Sequence, residues 1–129
     1  MQDRFINIKK VFNTEEDRNL LWLSELYQNK KVLIENIREI SDGYLNNKAL
    51  RDKRVLLKPN WVNHSNTSTD EICLRTHDNF VLAALEIVLQ SNPASVVIGD
   101  APIQGCSWKR MLSDDFLNGV KELSSNYKI

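Results

Sequence analysis

The sequence predicts an α/β protein with a small, mostly parallel sheet, helices on both faces and a β-α-β core. Three observations carry that prediction. Two short apolar runs, Val55-Leu56-Leu57 and Val96-Val97-Ile98, are consecutive rather than alternating, as in strands buried on both faces. Each run stops abruptly, in Lys58-Pro59-Asn60 and in Gly99-Asp100-Ala101-Pro102. Between them, Thr76 to Gln90 has the composition of a buried helix, which supplies the crossover that parallel strands need.

The elements follow in chain order. Phe5 to Phe12 alternates loosely and reads as a first strand. Asn13 or Thr14 caps the helix after it, and Glu15, Glu16 and Asp17 suit its positive amino-terminal end. Leu20, Leu21, Leu23 and Leu26 form its apolar stripe, and Asn29 marks its close. A second helix repeats Leu33, Ile37, Ile40 and Tyr44 at intervals of three and four, with turn signals at Asp42-Gly43 and Asn46-Asn47.

Arg54 to Lys58 is the next strand, ended by Pro59, which has no N–H for a ladder. Asn60 to Arg75 is a long polar loop, of a length that in compact domains points to function or disorder. Thr76 caps the central helix and Asp78 lies in its first turn. Phe80 to Leu89 is interrupted by a single charge, so the helix is expected to be covered on most sides. Ser91-Asn92-Pro93 stops it, and Ala94 to Ile98 returns as a strand through a right-handed crossover. Ser113 caps a last helix, with Asp114 and Asp115 in its first turn and Phe116, Leu117, Val120 and Leu123 inward. No repeat or linker divides residues 1–129, which read as a single domain.

Composition narrows the partners. With 17 basic and 17 acidic residues the formal charge is zero, so nothing draws nucleic acid or anionic lipid non-specifically. No apolar run approaches the ~20 residues that span a bilayer, and the amino terminus lacks an apolar leader core. Two cysteines far apart, Cys73 and Cys106, fit reduced thiols in the cytoplasm. Cys73, His77, His64 and Cys106 do not have the spacing of a structural zinc site, and no metal site is expected. No phosphate-loop or dinucleotide glycine pattern is present.

In open parallel sheets ligands gather beyond the carboxyl ends of the strands. Four residues there are candidate ligand contacts: Lys58 for an anion, Asn60 as an orienting amide, His77 as a neutral imidazole at a helix start, and Asp100 as a carboxylate acceptor. For three of them there is a plain alternative. Lys58 can solvate the sheet end or pair with Asp100, and Asp100 and Asn60 can serve as turn caps. Trp61, beside the proposed site, is a candidate stacking platform for a sugar or base, although tryptophans more often serve packing. Asn63, like Asn60, can orient a ligand through its amide or form a turn, and His64 reads as a surface histidine of the loop.

Val55-Leu-Leu-Lys-Pro-Asn-Trp-Val62, Arg75-Thr-His-Asp78 and Val96-Val-Ile-Gly-Asp-Ala-Pro102 together resemble the amino-terminal half of the domain-of-unknown-function family 362. That family shows a strand ending in Lys-Pro-Asn, a Thr-His-Pro helix start and a strand ending in Gly-Asp-Ser/Ala-Pro. The resemblance covers about residues 54 to 102, and Asp78 stands where the family has proline. Gly99 to Cys106 is similar to a subgroup found with bacterial surface-polysaccharide genes. The resemblance implies a partial or truncated domain, the amino-terminal part of a larger enzyme, and a homo-oligomer or a missing carboxyl-terminal segment. It also implies that the central helix lacks one covering layer. Some relatives carry an iron–sulfur cluster, but two cysteines and no C-x-x-C leave no ligand set for one, so no cofactor is expected. The functional expectation is binding of a small anionic or polyhydroxylated molecule; the rival is a structural or assembly fragment without a ligand.

Overall fold

A computed structural model describes residues 20–41, 44–45, 47–67 and 74–128. Among them are six helices and two strands: α1 (Leu20–Gln28), α2 (Lys30–Ser41), α3 (Asn47–Leu50), β1 (Arg54–Leu57), α4 (Asp78–Leu89), β2 (Ser95–Ile98), α5 (Trp108–Met111) and α6 (Asp114–Tyr127). The expected strand Phe5 to Phe12 and the cap at Asn13 or Thr14 lie outside the described residues.

β1 and β2 pair in parallel, with Arg54 opposite Ser95 and Leu57 opposite Ile98, and α4 is the helix of the crossover between them. The protein is therefore a small α/β fold, as its apolar runs predict. At the amino ends of the strands, Asp52 N–H donates to the Asn92 carbonyl at 3.0 Å and Ala94 N–H to that of Lys53 at 2.8 Å. Asp52 and Asn92 both adopt positive φ, 58° and 50°. Short polar side chains of this kind tolerate the left-handed region best after glycine, which is why the Ser91-Asn92-Pro93 stop is sharp.

Two helical layers are stacked on one face of the sheet. Leu57, Val96 and Ile98 point inward against Leu85 and Leu89 of α4 and Leu123 of α6. The opposite side of α4, Ala83 and Ile87, packs on Leu33 and Ile37 of α2, with Leu26 and Tyr27 of α1 beside them. A third cluster joins Val81 of α4 to Trp61, Met111 and Phe116. α4 thus lies between sheet and helices, with six of its twelve residues buried. Its β-branched residues Val81, Ile87 and Val88 each cost about 0.5 kcal/mol of helix propensity. Burial returns ~1.5–3 kcal/mol apiece, so packing decides the conformation.

Two expectations need correction. α4 does not lack a covering layer, because α1 and α2 supply it. Nor are the strands buried on both faces: Leu56 and Val97, paired side by side, are 65% and 59% exposed. A strand's side chains alternate between faces whatever their hydrophobicity, and α4 and α6 pack on the Leu57–Val96–Ile98 side, with α1 and α2 behind α4. Among the described residues no helix is long and apolar enough to cross a membrane.

Candidate functional site

Parallel pairing brings the carboxyl ends of β1 and β2 to the same end of the sheet, and the residues that follow meet there. Lys58 Nζ lies 2.6 Å from Asp100 Oδ1. The other carboxylate oxygen, Oδ2, accepts the main-chain N–H of Trp61 at 2.6 Å, and Asp100 also accepts from the N–H of Ala101. The carboxylate is almost fully enclosed, whereas the Lys58 side chain remains 65% exposed. The Lys58 hydrogen bond first, then the two main-chain donors, hold the Asp100 pKa down to about 2, against a smaller opposing effect of desolvation.

The loop after β1 is fastened at several further points. Asn60 and Thr76 exchange bonds: Asn60 N–H donates to Thr76 Oγ1 at 2.9 Å, and Thr76 N–H to the Asn60 carbonyl at 3.0 Å. Ile103 N–H donates to the Val62 carbonyl at 2.9 Å, joining this loop to the one after β2. Asn63 Oδ1 accepts from His64 N–H at 2.9 Å, and His64 Nδ1 accepts from Ser107 N–H at 3.4 Å. His64 therefore sits half-buried between the two loops rather than on an open surface.

His77, not Thr76, is the N-cap of α4. Thr76 turns its hydroxyl to Asn60, and His77 Nδ1 accepts from Asn79 N–H at 3.1 Å instead. The His77 ring can accept this bond at Nδ1 only in a form that carries no proton there. Its face stacks on Tyr27, centroids 4.3 Å apart and 2° from parallel.

His77 forms part of a cavity of about 290 Å³ between the first turns of α4 and α6, lined also by Arg75, Asp78, Ser113 and Asp115 over Leu82 and Phe116. Arg75 is buried and its guanidinium pairs with Asp78. It also donates to the Met111 carbonyl at 3.0 Å and lies 5.7 Å from the centre of the Trp61 ring. Asp78 Oδ2 accepts from the Ser113 hydroxyl at 3.1 Å, and Ser113 Oγ caps α6 by accepting from Phe116 N–H at 3.1 Å. One carboxylate thus joins the starts of two helices to a buried cation.

The structure separates the four sequence-predicted contacts into two groups. Lys58 and Asp100 come together; His77 lies in the cavity, which those two residues do not line; Asn60 connects the groups through its main-chain tie to Thr76. Trp61 is not a stacking platform. It is 1% exposed and packs edge-on to Phe116, enclosed with Val81 and Met111 in one apolar cluster. Sequence reasoning missed Arg75. Its signal was an arginine three residues before an aspartate at a helix start, the spacing at which the two side chains meet.

Among the described residues no group of three or more His, Cys, Asp or Glu side chains is placed to hold a metal ion. Cys106 is a half-buried free thiol. No protein family, curated protein or solved structure matches the chain.

Proposed function

We propose that this α/β protein binds a small anionic or polyhydroxylated molecule at the carboxyl ends of its two parallel strands. The observation that carries the reading is the Lys58–Asp100 pair: an exposed ammonium held 2.6 Å from an enclosed carboxylate, across neighbouring strand ends. In that role Lys58 contacts the anionic group, Asp100 keeps the ammonium in place and accepts from a hydroxyl, and Asn60 lies beside the pair; His77, in the neighbouring cavity, does not reach the same group. The cavity of about 290 Å³ beside His77 is near the lower size limit for small-molecule sites and is walled by polar groups. Kinship with the domain-of-unknown-function family 362 belongs to the same proposal and rests on the three motifs, and a bacterial origin rests on the likeness of Gly99 to Cys106 to one of its subgroups. A cytoplasmic location is part of the same proposal and rests on the two cysteines, far apart in the sequence and suited to reduced thiols.

A second reading has its own support. Asp100 already receives Lys58 and two main-chain N–H groups, which is how a carboxylate that merely braces two loops is satisfied. Calorimetric titration of phosphate, sugar phosphates and neutral sugars separates the two readings. Binding to the parent, weakened roughly 10- to 100-fold in Lys58→Met with the fold retained, supports the ligand site, since a charge-assisted hydrogen bond is worth ~1.5–3 kcal/mol. No heat with any of these probes, together with loss of folding in Asp100→Asn, leaves the pair a structural brace.

Self-association is part of the proposal, supported by the exposed Leu56 and Val97 on the sheet face opposite α4. Sedimentation of a clean monomer at micromolar concentration removes it.

A further inference from the structure

We draw no further inference here: the strongest candidate, the apolar groove of about 280 Å³ that runs between β2 and α6 and is lined by Val96, Ile98, Trp108, Leu117 and Val120, carries none because nothing in the structure shows what covers it.

Discussion

Gly119 of α6 sits directly against Leu82 of α4: a methyl group built on Gly119 would lie 2.8 Å from Leu82 Cδ1. The two helices approach closely because this position has no side chain. Elsewhere in a helix, glycine to alanine gains ~1 kcal/mol of propensity. Here the added carbon pushes on the terminal methyl groups of a half-buried leucine, which must turn aside, and that shift offsets the gain. Gly119→Ala is expected to give no stabilisation in urea unfolding. In a Leu82→Ala background the same substitution should recover its gain, with a coupling of about 1 kcal/mol between the sites. Equal effects in both backgrounds would show that the contact carries no energy.

Asp100 makes stability depend on acid. Its folded pKa, about 2, lies below the ordinary value of 3.8, so the folded state favours the ionised form. The contribution is present in full above about pH 4 and disappears as pH falls through about 2. Unfolding midpoints of the parent and Asp100→Asn should therefore differ most at neutral pH and converge near pH 2. A carboxyl resonance of Asp100 titrating near 4 would contradict this.

His77 holds the start of α4 through Nδ1 and through its stack on Tyr27. Replacing it with alanine removes the cap at a cost of about 1 kcal/mol, to which the lost stacking adds ~0.5–1.5 kcal/mol. Asparagine restores an acceptor but not the ring, so His77→Asn should recover the capping part alone. If His77→Asn and His77→Ala unfold at the same urea concentration, the cap is not contributing.

Arg75→Met is expected to be the most damaging of these single changes. It strands Asp78 beside a buried wall and leaves the Met111 carbonyl without its donor. Removing one partner of a buried ion pair costs ~3–5 kcal/mol, reduced here because Asp78 keeps some access to water. A loss of about 2–4 kcal/mol is expected. Adding Asp78→Asn should restore part of it, since the uncompensated charge is then gone. A double variant less stable than Arg75→Met would mean that the Ser113 contact, rather than the charge, dominates.

The β-α-β unit was legible because its signals are local. Consecutive apolar triplets, the Pro59 and Pro93 stops and the Ser113 cap each act within a few residues, and each appears where the sequence puts it. The second helix was partly legible: Leu33 and Ile37 are buried, but Ile40 and Tyr44 of the same stripe are 42% and 43% exposed. α3 and α5, at four residues each, are too short to show a period. What the sequence concealed is tertiary. An apolar triplet does not reveal whether the outward residue, Leu56 or Val97, has a layer above it. Trp61 and Lys58 stand three positions apart, yet one is enclosed and the other in water. Arg75 looks like the last residue of a polar loop, and only the approach of Met111 and Trp61 makes it a buried one. The Lys58–Asp100 contact was anticipated because parallel neighbours end at the same level, whereas the separation of His77 from that pair depends on how α6 packs.

The position of α4 also bears on cooperativity. A helix that shares one side with the sheet and the other with α1 and α2 gives no surface along which the described chain can part without exposing apolar side chains. Opening either layer strips one side of the same helix, so local openings that expose its amides cost nearly as much as global unfolding. The main-chain amides of Leu85 to Leu89 should accordingly be the last to exchange with deuterium, and exchange there measures the stability of the whole described fold.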